Sequence, residues 1–228
     1  MLVKERPLDW FVGRLARGEP TTFSRWGDGE WHSVFGRTHG RNCDGHDYYP
    51  QMGRELKALL MARPSYVLGL QSLALKLWPG RVLEWLTQTG LHDLDWVDAD
   101  VFHDASRHGE LDAVRNALKM HPLILVGPPH LAKLNQFLGF EHHVTVPPKN
   151  SYLVWERLLT EVYAHADPMP AGGVIAVSAG MPGKLMVDKL HRRYSKRHSV
   201  IDFGSVWDVY AGVRSRRYMQ GMDVEVKE

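Results

Sequence analysis

A single cysteine, Cys43, occurs in 228 residues, so no disulfide can form within the chain. That usage suits a reducing compartment. No run approaches the roughly 18 consecutive apolar residues that a membrane-spanning helix requires. The segment from Met1 to Pro7 lacks the apolar stretch of a signal peptide. From these absences we expect a cytoplasmic protein. No G-x-G-x-x-G, Walker A or G-x-S-x-G string occurs, which counts against NAD-linked, P-loop and α/β-hydrolase chemistry. Internal repeats, low-complexity tracts and linkers are also missing. We therefore expect one domain over residues 1–228, with a core from about 20 to 212 and a basic tail over 213–228.

What is present is ordinary globular composition, 44% hydrophobic and 24% charged, enough to bury a core without staples. The net charge of +2 hides an asymmetry: residues 184–217 carry nine Lys/Arg against three Asp, or +6, leaving −4 elsewhere. Such a stretch reads either as a solvated face with a loose tail or as a surface for an anionic partner.

Periodicity predicts alternating elements. Leu8, Phe11, Val12 and Leu15 make one stripe of a helix over 7–17, and Thr21–Arg25 leans towards a strand. Helices are expected over 31–35, 54–63, 81–89, 110–120, 130–138, 152–164 (with Ser151 as N-cap) and 184–194. Strands are expected over 66–70, 123–126, 143–146, 174–177 and 199–203. Strands separated by helices imply an α/β fold, a parallel sheet with helices on both faces. Turns at Gly27–Glu30, Gly127–Pro129, Gly180–Gly183 and Asp202–Ser205 each follow a strand, so in a parallel sheet they share the rim where ligands bind.

The turn Gly27-Asp28-Gly29-Glu30 is the most informative. In an extended backbone Asp28 and Glu30 point the same way and offer two oxygen ligands to Mg²⁺ or Mn²⁺. Alternatively, Asp28 caps a helix and Glu30 favours its macrodipole. Trp26 and Trp31 bracket the turn and either stack on a base or sugar or pack in the core. A zinc reading of His39, Cys43 and His46 lacks clean ligand spacing.

The string Phe23-Ser24-Arg25-Trp26-Gly27-Asp28-Gly29-Glu30 resembles the nucleotide-sugar motif of the GT-D-type glycosyltransferases, a Rossmann-like family first catalogued as a domain of unknown function. Further likenesses follow in order over roughly residues 20–212: Leu125–Pro128, Val146–Tyr152, Ala176–Lys184 and Val200–Gly204. The resemblance implies a divalent cation at Asp28 and Glu30. It also implies a nucleotide diphosphate sugar, most readily a UDP-sugar, and a glycan or glycoconjugate acceptor. Arg25, Trp26, Gly27, Gly127, Asn150, Tyr152, Gly180 and Lys184 would then line the donor site. Asp202, Asp104 and His103 are the candidates for the base that deprotonates the acceptor. The chain departs from the family at Ser205 (a histidine in the family), at Pro128-Pro129-His130 and at Asp100–Asp104, all on the expected acceptor side. With the +6 segment, these departures leave open a hydroxylated base in DNA as acceptor, and a non-catalytic nucleotide-sugar-binding module is a third reading.

Overall fold

The computed structural model describes residues 3–72 and 80–222. Seven strands form one sheet: β1 (Thr22–Trp26), β2 (Val67–Leu70), β3 (Trp96–Asp98), β4 (Leu123–Gly127), β5 (His142–Thr145), β6 (Val174–Val177) and β7 (Ser199–Asp202). Their order is β3-β2-β1-β7-β6-β4-β5, and every pairing is parallel. Among the described residues the helices are α1 (Leu8–Ala16), α2 (Asp28–Val34), α3 (Pro50–Met61), α4 (Arg81–Gln88), α5 (Val101–His108), α6 (Leu111–Leu118), α7 (Asn135–Leu138), α8 (Trp155–Ala166) and α9 (Gly183–Tyr194). The expected α/β architecture, Rossmann-like with helices on both faces, is what the chain adopts.

The apolar runs of β4 and β6 are buried throughout because each face of the sheet is covered. Successive residues alternate between two cores. Ile124, Val126, Ile175 and Val177 join the layer packed by α2, α3, α4, α8 and α9. Leu123, Leu125, Val174 and Ala176 join the layer packed by α1, α5, α6 and the segment after β4. Crossovers that run towards β3 use the first layer, and those that run towards β5 use the second. This is the arrangement that right-handed β-α-β units impose.

Three expectations change. β3 and α5 were not anticipated, because a three-residue edge strand carries too little periodicity to register. Ser151 is no helix cap: its hydroxyl donates to the Ala179 carbonyl. Residues 213–222 are not a loose tail, since Met219 is fully buried and Arg214 donates to the carbonyls of Met219 and Met222; residues 223–228 of the expected tail lie outside the described residues.

Gly53 shows how closely α2 and α3 approach: a Cβ there would fall on the backbone carbonyl of Ser33. Gly53→Ala should therefore destabilise the protein by about 1–3 kcal/mol, the usual cost of overpacking a rigid contact. A denaturant midpoint equal to that of the unsubstituted protein would contradict this packing.

Candidate active site

After β1 and β6 the chain turns to one face of the sheet, and after β4 and β7 to the other. A crevice therefore opens along the middle of the carboxyl rim, the position where doubly wound sheets bind ligands. It is a cleft of about 860 Å³ with contributions from the carboxyl end of every strand. Asn42, Cys43 and Asp44 from the loop before α3, with Ser215 and Arg216 from the C-terminal segment, form its outer wall. Arg216 pairs with Asp44 and joins the two.

The acidic turn is not extended. Helix α2 begins at Asp28, so Asp28 and Glu30 sit two residues apart in a helix, about 200° around its axis. Their side chains diverge. Asp28 is half-buried at the cleft and makes no ion pair among the described residues. Glu30 turns inward, with Oε2 accepting from the Gly27 backbone N–H at 2.9 Å and Oε1 lying 2.8 Å from Lys184 Nζ. A methyl group at Gly27 would lie 3.0 Å from Gln71 Oε1 and 3.1 Å from Arg25 Nη1. A side chain there would press on the ends of both.

Lys184, in the first turn of α9, reaches back between two carboxylates. Its ammonium lies 2.8 Å from Glu30 and 2.9 Å from Asp202, and it also donates to the Gly180 carbonyl. Side-chain exposures of 3%, 7% and 1% for Lys184, Glu30 and Asp202 make this a desolvated triad. Burial alone would raise the Glu30 pKa, but the charge and hydrogen bond of Lys184, helped by Arg25, hold it below the usual carboxylate value. Burial likewise works against the lysine charge, and the two carboxylates overcome it and raise its pKa. Asp202 also accepts the backbone N–H groups of Arg25 and Gly204, so its carboxylate is enclosed.

Around this triad, Arg25 donates to Asp100 at 2.9 Å at the cleft wall. His103 is buried beside Ser205, with Nε2 3.4 Å from the hydroxyl. Burial, then the charges of Arg25 and Arg216, holds its pKa well below the ordinary histidine value, so the ring is neutral at pH 7. An imidazole thus stands beside Ser205 after all, supplied from α5. Gly180, with φ +67°, lets the segment after β6 curl into the cleft.

Several sequence expectations do not survive this geometry. Trp26 is fully buried against Trp31, 5.9 Å between ring centroids, and is core rather than a stacking surface for a base. Gly127 faces Leu131, which a Cβ would approach to 2.7 Å, so it serves packing. Tyr152 donates its hydroxyl to Glu55 and stands off the cleft. Asn150 adopts the left-handed conformation and spends its amide on Asp47, pinning the loop before α3. Asp104 has a 43% exposed side chain held by Arg107 and does not itself line the cleft, although Arg107 does. Lys184 has its three protons engaged and is no free cation for a phosphate. What sequence reasoning missed is a His130–Asp208 pair on the cleft wall, with Nε2 2.8 Å from Oδ1. Only His130 had a sequence signal, as a departure from the family pattern.

A metal on both Asp28 and Glu30 does not fit, because both Glu30 oxygens are taken and an ammonium stands beside one of them. Among the described residues no group of three or more His, Cys, Asp or Glu could hold a metal ion. Asp28 alone does fit a hard cation, of the kind held by one or two carboxylates together with waters and substrate phosphates. The charge balance agrees: four Lys/Arg and five Asp/Glu line the cleft, so a diphosphate would enter more readily with a divalent counter-ion.

The fold and cleft define a doubly wound α/β protein with an open cleft at its topological switch. No protein-family model matches the chain, and no curated protein matches it. Two solved structures are similar along nearly the whole chain. One, described as "The highly conserved domain of unknown function 1792 has a distinct glycosyltransferase fold", superposes with a TM-score of 0.67 at 14% identity. The match covers 99% of this chain and 92% of that one. The other, a selenomethionine-substituted structure of the same domain, gives 0.66 at 13% identity with the same coverage. The chain has this glycosyltransferase fold.

Lys184→Met would leave two buried carboxylates uncompensated. Stability at pH 7 should fall by about 3–5 kcal/mol. In the unsubstituted protein the depressed Glu30 pKa contributes stability above the unfolded carboxylate value, lost as pH falls through the folded one. In the variant burial acts unopposed by lysine, so its deficit should narrow as pH falls from 7 to 4. Urea titrations across that range would show it, and a deficit independent of pH would count against the triad.

Proposed function

We propose that the chain is a glycosyltransferase that takes a nucleotide diphosphate sugar, most readily a UDP-sugar, in the rim cleft and transfers the sugar to a glycan or glycoconjugate hydroxyl. One observation carries the reading: the string Arg25-Trp26-Gly27-Asp28-Gly29-Glu30 lies at the switch point of a fold matched end to end by a glycosyltransferase fold. Fold alone does not define an activity, so the chemistry rests on the side chains.

Glycosyl transfer builds charge on the departing diphosphate, and the barrier falls when that charge meets a preorganised site. Asp28 would hold Mn²⁺ or Mg²⁺ there, and the cation when bound neutralises the leaving diphosphate. Arg25, anchored by Asp100 and by its backbone contact to Asp202, presents a guanidinium whose position is set before substrate arrives. Glu30 acts one step back: tied to Lys184 and to the Gly27 N–H, it fixes the start of α2 and so the direction of Asp28. The wall of Asn42–Asp44 and Ser215–Arg216 restricts water around the donor.

A glycan acceptor is favoured over DNA because the +6 segment does not form one free basic face. Lys184, Arg192, Arg193 and Arg216 are committed to ion pairs, and Arg197 and Arg214 are bonded to carbonyls.

Nucleotide sugars with Mn²⁺ should raise the melting temperature, as ligands specific to the native state do. Asp28→Asn should abolish the Mn²⁺-dependent part of that rise and lower donor turnover by about 100-fold or more. Glu30→Gln should instead lower the melting temperature without ligand. Absence of any shift with UDP-, GDP- and dTDP-sugars would defeat the proposal.

A further inference from the structure

Transfer to a hydroxyl requires a group that removes its proton as the oxygen attacks. The three residues expected from the sequence are poorly placed for this. Asp202 is enclosed by Lys184 and two backbone N–H groups, Asp104 is held by Arg107 and does not itself line the cleft, and His103 is buried against Ser205. The cleft offers another pair. His130, in the 3₁₀ turn Pro129–Leu134 that follows β4, sets Nε2 2.8 Å from Asp208 Oδ1, and both residues line the cleft. Asp208 is the inner member, with its side chain 10% exposed and its second oxygen accepting from the Ser215 hydroxyl. His130, at 26%, is the member open to ligand.

A ring that donates Nε2–H to a carboxylate carries its lone pair on Nδ1, and the carboxylate stabilises the imidazolium formed when Nδ1 takes a proton. The position suits an acceptor site. β1, β7, β6 and β4 are successive neighbours, so the rim ends that bear Asp28 and His130 are three strand spacings apart, about 14 Å. A diphosphate, a sugar ring and an incoming hydroxyl span a distance of that order.

We propose that His130 is the catalytic base of the transfer and Asp208 the positioning residue that orients it; this rests on the glycosyltransferase reading above. The acceptor proton passes to His130 Nδ1 as the acceptor oxygen forms a bond to the anomeric carbon. The bond from that carbon to the diphosphate oxygen breaks, its electron pair leaves with the nucleoside diphosphate, and the imidazolium then returns its proton to solvent. Direct displacement inverts the anomeric centre. The charged or titratable groups around the pair are Asp208 itself, Arg216, which the Asp208 charge reaches, and His143 on β5, whose ring is tied to the Gly127 carbonyl.

The test uses the full chain and release of nucleoside diphosphate from UDP-, GDP- and dTDP-sugars with MnCl₂, water serving as acceptor, from pH 5 to 9. The unsubstituted protein, His130→Gln and Asp208→Asn are compared, and binding of the released diphosphate is followed by calorimetry. The expected result for His130→Gln is a kcat lower by about 10²–10⁴-fold, with diphosphate affinity within twofold of the unsubstituted protein. The loss should fall on kcat and leave the KM for the sugar nucleotide within about twofold. In Asp208→Asn kcat should also fall, with diphosphate affinity again within twofold, because the ring has lost the carboxylate that orients it. The released sugar should carry the inverted configuration by NMR. Unchanged kcat in His130→Gln would overturn the inference and leave the transferase reading standing. A parallel loss of affinity, turnover and melting temperature would show that the pair is a structural clamp, and would also overturn it. No release by the unsubstituted protein from any of the three sugar classes would sink the transferase reading and this inference with it.

Discussion

The buried ion triad of Glu30, Lys184 and Asp202 ties together the three segments on which the cleft depends. It links the start of α2, the start of α9 and the end of β7 at one point, where each side chain is almost wholly removed from water. Burying three charges is costly, and the cost is offset only because every proton of the ammonium and most carboxylate oxygens have partners. That near-complete satisfaction fixes geometry. Glu30 must face inward, so helical periodicity sends Asp28 outward to the cleft. Asp202 must face Lys184, and its remaining capacity then holds the backbone of Arg25 and Gly204.

The architecture around the triad decides where chemistry can occur. Loops leave neighbouring strands for opposite faces, so the middle of the rim cannot be closed by packing and remains a crevice. One wall of that crevice is Arg25, bonded to Asp100, with the first turn of α2. The other wall carries His130 and Ser205, two of the departures from the family pattern, beside Asp208, Ser215 and Arg216. The negative balance of the lining residues adds a further constraint: an anionic ligand would enter more readily with a cation of its own.

Much of the fold was legible because it follows from local patterns. The runs Leu123–Val126 and Val174–Val177 could only be strands buried on both faces, and alternation of strands with amphipathic helices requires parallel crossovers. The rim turns were readable for the same reason. Strand β3 was not, because Trp96–Asp98 takes its identity from pairing with β2. Trp26 was ambiguous in sequence, since an indole beside a motif looks alike whether it meets a nucleobase or another tryptophan.

The sequence by itself determined the α/β class, the single acidic turn of interest and its likeness to a nucleotide-sugar motif, because these depend on residue type and spacing along the chain. Tertiary structure alone decided which of those residues face the cleft. Whether Asp28 and Glu30 act together depended on a helix beginning one residue after the strand, and whether Lys184 was a free cation depended on carboxylates 154 and 18 residues away in sequence. The pairing of His130 with Asp208 joins positions 78 residues apart. Such contacts are set by strand order and burial, which no local pattern encodes.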